Sequence, residues 1–294
     1  MKCYITNIPH CDGLGARFQR MLYLMYFSYY IREKYDKEVE FLYLPFSFEG
    51  FGRNFYDRDV TNFYFSTKES YRCRAEMWDK KFNYTGKKIT DIDLSTVQIV
   101  DSPSFQDIIN QIENDNYDNK LYLFDQMCYQ FDDNTISDDL IYRYQEEILS
   151  KFNMINPFNK DKINISIHIR RDDVDKNFTL RWLSDEYYLQ IIDIIENNLE
   201  NYSLKIHTQK QNFNFDKFKK YEVLYDEIYE DYDSFTEFIF SDILILGKSS
   251  FGYAPALLKK ELVVYHDFWH KKLDFWIKID ELESKLKELN QKNK

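Results

Sequence analysis

The stretch Ser166–Asp175 reads SIHIRRDDVD: an alternating apolar run ends in the Arg170–Arg171 pair, and Asp172, Asp173 and Asp175 crowd in behind it. A guanidinium presents five N–H donors in a planar fork, which suits a bidentate grip on a phosphate or carboxylate. Side chains on a strand alternate between faces. Ile163, Ile165, Ile167 and Ile169 therefore share one face and His168 takes the other. If the strand continues, Arg170 falls on the His168 side and Arg171 on the isoleucine side. One arginine is expected to hold an anion. The other needs a carboxylate, and the three aspartates are near. The same residues would also make a solvated ion-pair cluster after a strand, so the pattern alone leaves both readings open.

Two further stretches place chemistry-bearing groups at strand ends. In DILILGKSSFGYAPALL (Asp242–Leu258), a buried strand ends at Gly247, and Ser249, Ser250 and Phe251 open a helix. Free backbone N–H groups and two hydroxyls at a helix start can take an anion; ordinary N-capping by Ser249 or Ser250 is the alternative. In GLGARFQR, Gly13 and Gly15 put glycine where backbone passes close to something, or simply make a tight turn. This loop does not satisfy the GxGxxG fingerprint.

The elements that must carry these residues follow from periodicity. KCYITNI reads as a strand, Ala16 to about Glu33 as a helix, Val39–Phe46 as a strand, and Ser47–Asp93 gives no clear pattern. Thr96–Val100 and Lys120–Asp125 read as strands, with a helix starting after DSPS between them. Ser137 caps a helix running to Phe152. Asn153–Lys162 has linker character. Beyond it the alternation restarts: strands at Ile163–Ile169, Tyr202–Thr208, Asp242–Gly247 and Glu261–His266, and helices after Ser184, at Ser234–Ser241 and after Ser249. A closing amphipathic helix carries Leu282, Leu286 and Leu289 on one stripe. Two such series predict two α/β domains with mostly parallel sheets, whose ligands sit beyond the carboxyl ends of strands. The boundaries expected are 1–155, 160–270 and a terminal helix over 271–294.

Composition sets the outer limits. The net charge of −11 argues against a general nucleic-acid binder, which needs a basic footprint. With 25 Tyr and 25 Phe, aromatic stripes are core by default rather than base-stacking platforms. Cys3, Cys11, Cys73 and Cys128 have no zinc-ligand spacing, and so few thiols in a chain this long fit a reduced compartment. Neither a secretory leader nor a membrane-spanning stretch is legible, so a soluble, cytoplasmic protein is the expectation. Oligomeric state is not legible.

Taken together, ISIHIRRDD resembles the HxRRxD motif of the α1,2-, α1,6- and protein O-fucosyltransferase superfamily. SDILILGKSSFGYAPALL resembles its C-terminal motif, DGLGARFQRMLYLMYF its N-terminal glycine loop and first helix, and LSDEYYLQIIDII its α1,2 branch. The resemblance covers about Ile163–Leu258 and Cys11–Tyr30. It implies a GT-B fold, two facing Rossmann-like domains, with the first on the acceptor side and the second binding the nucleotide sugar. It implies an inverting transfer of fucose from GDP-fucose to a glycan acceptor, with no metal and no further cofactor. Arg170 would hold the β-phosphate; Arg171 would assist it or pair with Asp173; His168 would lie near the guanine or the phosphates. Ser249, Ser250 and Phe251 would approach the diphosphate, with Gly13, Gly15, Thr208 and Gln209 also on the donor. Asp173 and Asp175 are the candidate bases. Asp173-Val174-Asp175 also forms the Asp-x-Asp of metal-dependent glycosyltransferases, but Asp91-Ile92-Asp93 and Asp231-Tyr232-Asp233 match it too, as an acidic chain will by chance. Gln209 stands where many relatives carry an acidic pair that reads guanine, and Asp172 stands where many have Gly or Thr. These departures favour a different nucleotide sugar, or a relative that binds nucleotide or glycan without turnover.

Overall fold

A computed structural model describes residues 3–8, 13–48, 68–125, 128, 130–171, 174, 176–177, 179–209, 214–225 and 231–292. The chain divides into two units, Met1–Met154 and Ile155–Lys294.

The first unit opens with strand β1 (Cys3–Asn7) and helix α1 (Leu14–Tyr35), then β2 (Val39–Phe41), α2 (Lys68–Phe82), β3 (Gln98–Asp101), α3 (Phe105–Glu113), β4 (Lys120–Phe124) and α4 (Asp138–Leu149). The strands run parallel in the order β2-β1-β4-β3. Sequence signals set the helix ends. Ser104 and Asp107 cap each other's backbone at the start of α3, and Ser137 accepts the Leu140 N–H at the start of α4. Helix α1 stops where Asp36 turns left-handed at φ 52° and its N–H closes on the Arg32 carbonyl. Almost every side of α1 is covered, including Arg17, Gln19 and Arg20. The expected extended run to Phe46 is shorter, with β2 ending at Phe41 and only an isolated bridge from Tyr43 to Lys88 beyond it. Helix α2 arises in the stretch that gave no clear pattern. Among its described side chains Ala75, Trp78 and Phe82 are fully buried, on a largely charged sequence.

The second unit carries β5 (Ile163–His168), α5 (Asp185–Asn198), β6 (Tyr202–Thr208), β7 (Glu222–Tyr225), α6 (Asp231–Phe240), β8 (Ile243–Ile245), α7 (Ser250–Ala256), β9 (Leu262–Val264) and α8 (Ile279–Lys292). Its parallel sheet runs β7-β6-β5-β8-β9. Ile165, Ile167 and Ile169 bury the isoleucine face of β5 against Tyr188, Ile191, Ile192 and Ile195 of α5. Leu282 and Leu286 of α8 join the same core, so the terminal helix is part of this unit. Both units are therefore α/β with parallel sheets. Among the described residues no helix is long and apolar enough to cross a membrane.

Candidate functional site

The sheet order of the second unit fixes where a ligand would sit. From β5 the chain steps outward to β6 and β7, then returns to lay β8 and β9 on the other side of β5. Outward-going connections on opposite sides open a crevice at the carboxyl ends of the two strands flanking the reversal. Those strands are β5 and β8. Arg170 follows the first and Gly247–Ser250 follow the second, so two stretches picked out by residue type converge at the switch point. The Arg170 guanidinium leans on the second turn, with Nη1 donating to the Lys248 carbonyl at 3.4 Å.

The two arginines leave β5 on opposite sides, as alternation requires. Arg171 goes to the isoleucine face and is 1% exposed. Its Nη2 pairs with Asp185 Oδ1 at 2.6 Å, and its guanidinium lies 3.7 Å from the centroid of the Trp182 ring. Asp185, the first residue of α5, is thus a carboxylate partner of Arg171; the pairing expected with Asp172, Asp173 or Asp175 falls on residues outside the described ones. The acid comes from beyond a turn because the isoleucine face of β5 is the face α5 covers. Asp172, Asp173 and Asp175 lie outside the described residues, so the candidate bases receive no structural account.

His168 takes the opposite face and is 4% exposed. Its ring packs between Phe238 and Phe251, each centroid at 5.5 Å. Burial, with Arg170, His207 and Arg171 adding repulsion, pushes its pKa down to about 3, so it is neutral at ordinary pH. Its buried Nδ1 has no hydrogen-bond partner among the described residues. Two glycines make room for it. A Cβ on Gly247 would stand 2.6 Å from the His168 carbonyl oxygen, and one on Gly252 would stand 2.9 Å from Nδ1. Gly247 therefore serves close packing of β8's exit against β5. Gly247→Ala is expected to destabilise the protein by about 1–3 kcal/mol, the usual cost of overpacking. Urea denaturation checks this, and an unchanged midpoint would refute the close approach.

The remaining donor candidates are already engaged within the protein. Ser249 caps α7, its Oγ accepting the Phe251 N–H at 3.1 Å. Ser250 Oγ lies 2.9 Å from His270 Nε2, which also accepts the Trp269 indole N–H at 3.1 Å. A nitrogen that accepts from an indole carries no proton, so the Ser250 hydroxyl donates to it. Thr208 is buried at the end of β6. Gln209, expected on the donor, accepts the Arg171 backbone N–H at its Oε1, at 3.1 Å. In the first unit, Gly13 precedes α1 at φ −60°, and a Cβ there would meet no described atom within 4 Å. Gly15 is buried within α1, and residues 9–12 of its loop lie outside the described residues.

Three contributors were not picked out from residue types. Asp185, inside the helix expected after Ser184, is the first and Trp182 the second. The third is a buried polar chain: Lys205 Nζ to Glu237 Oε1 at 2.7 Å, Glu237 Oε2 to His207 Nε2 at 3.2 Å, and His207 Nδ1 to Ser234 Oγ at 2.9 Å. His207 faces His168 across the β5–β6 register, and burial lowers its pKa against the opposing pull of Glu237. Among the described residues no group of three or more His, Cys, Asp or Glu side chains is arranged to hold a metal ion. No protein-family model and no curated protein matches this chain.

Proposed function

We propose that the chain is an inverting glycosyltransferase that works without a metal ion and transfers fucose from GDP-fucose to a glycan acceptor, with a GT-B arrangement of its two units. The observation that carries this reading is the convergence of Arg170 with the Gly247–Ser250 turn at the carboxyl ends of β5 and β8, where the strand order reverses. A nucleoside diphosphate suits that place, since a buried guanidinium supplies fixed positive charge in a chain of net charge −11. In the reaction, an acceptor hydroxyl oxygen bonds to the sugar's anomeric carbon as that carbon's bond to the β-phosphate oxygen breaks. GDP leaves with the electron pair, and the hydroxyl proton passes to a base, for which Asp173 and Asp175 are the candidates. Arg170 meets the charge that grows on the departing diphosphate, a task a divalent cation performs in other enzymes.

Binding of GDP in EDTA tests the reading directly. Stabilisation by RT ln(1 + [L]/Kd) reaches about 2.7 kcal/mol at a hundredfold excess over Kd. A rise in melting temperature with GDP, larger than with UDP, is expected. A second reading, a GT-B enzyme using another nucleotide sugar, is favoured by Gln209, whose Oε1 is also held by the Arg171 N–H. A clear shift with UDP and none with GDP would select it.

A further inference from the structure

The peptide unit joining Arg170 to Arg171 is held at both of its polar atoms by side chains. The Arg170 carbonyl accepts from Arg171 Nη1 at 2.8 Å, and the Arg171 N–H donates to Gln209 Oε1 at 3.1 Å. The guanidinium that makes the first bond is itself fixed, by Asp185 at 2.6 Å and by the Trp182 face at 3.7 Å. The second bond has a specific place in the sheet. The Ile169 N–H donates to the His207 carbonyl at 3.0 Å, extending the β5–β6 ladder past the last paired residues. In a parallel ladder the next rung donated from this strand would join Arg171 N–H to the backbone carbonyl of Gln209. Here the side-chain oxygen of that same residue takes the bond. The rung is made, the strand end is kept in register, and the backbone carbonyl of Gln209 is not required for it.

We infer that Gln209 is a positioning residue for Arg170: by supplying the last rung of the β5–β6 ladder from its side chain, it fixes the peptide plane from which Arg170 reaches the turn after β8. This inference rests on the proposed role of Arg170 on a diphosphate. The physical chain is short. Holding both polar atoms of one peptide fixes ψ of Arg170 and φ of Arg171, and with them the direction of the Arg170 side chain. A misplacement of about 1 Å at a charge-stabilising group can cost on the order of 10²-fold in rate. The residue type follows too. A side-chain rung needs an acceptor at the reach of a Gln or Glu carbonyl. Methionine has that length without an oxygen.

The test compares Gln209→Met with Gln209→Glu, which keeps an oxygen at the same reach. Three measurements are made on each: melting temperature, affinity for inorganic pyrophosphate and GDP, and kcat with GDP-fucose. Hydrogen exchange at the Arg171 amide is followed in parallel. Gln209→Met is expected to speed Arg171 amide exchange and to lower pyrophosphate affinity and kcat by on the order of 10-fold or more, with the global melting temperature little changed. Gln209→Glu is expected to restore amide protection and most of the affinity. If the wild type binds pyrophosphate and Gln209→Met binds it equally and turns over equally, the positioning role is overturned. If the wild type binds neither pyrophosphate nor GDP, the diphosphate role of Arg170 fails, and the inference with it. Slowed turnover with an unprotected amide in both variants would also overturn the rung, since an oxygen at that position would then have made no difference.

Discussion

Arg170→Ala is expected to lower kcat with GDP-fucose by on the order of 10²–10³, the usual effect of deleting one preorganised donor to a developing charge. The geometry sets the size. Arg170 is 7% exposed, so its guanidinium acts from a site with little water to screen it. It stands at the reversal between β5 and β8, against the Lys248 carbonyl of the facing turn. In the proposed transfer the β-phosphate would gain charge as the bond to the sugar breaks, so the arginine would bind the transition state more tightly than the ground state. The loss should therefore fall on kcat and kcat/KM together, with KM for the donor changing less. Arg170→Lys should restore little, because a point charge on a flexible stem cannot reproduce the planar fork. Steady-state kinetics on both variants, with melting temperatures alongside, check this. Near-wild-type turnover in Arg170→Ala would leave the strand end as a structural ion-pair cluster and remove the basis for the donor site.

Every strand but β7 was legible, because strands of parallel sheets keep short apolar runs between turn signals. Ser104, Ser137 and Ser184 stand just before helical periods and cap them. Alternation along β5 also gave the opposite exits of the two arginines, because it follows from the pleat alone. Two elements escaped. In helix α2 charged residues surround Ala75, Trp78 and Phe82, and this background hides their helical period. Strand β7 is a short edge strand, Glu222–Tyr225, without alternating burial. The partner of Arg171 escaped for another reason. Sequence proximity pointed only to Asp172, Asp173 and Asp175, whereas the face on which a strand residue points decides which helix meets it, and that face adds Asp185 on α5. Gln209 shows the same limit: its type is compatible with reading a base, and only the end of the β5–β6 ladder shows what its oxygen does.

Arg171→Ala is expected to act on stability, by about 3 kcal/mol or more, within the range for breaking a buried ion pair. Three losses combine. The guanidinium leaves a void beneath Trp182 and beside Tyr188. The Arg170 carbonyl loses its Nη1 donor. Asp185 loses its 2.6 Å partner, although it is itself 26% exposed and keeps Lys217 at 3.7 Å, so its stranding costs less than that of a fully buried carboxylate. Arg171→Met, which refills much of the void, should recover part of the loss but not the carbonyl bond. A double-mutant cycle with Asp185→Asn isolates the pair, and a coupling of about 1–3 kcal/mol is expected for two groups in direct contact. Urea denaturation of the four proteins supplies the cycle. A coupling near zero, or a loss below about 1 kcal/mol in Arg171→Ala, would mean that the second arginine does not anchor the strand end. Strong destabilisation by Arg171→Ala, set against kinetic failure in Arg170→Ala, would separate an arginine that holds the backbone from one that works on the donor.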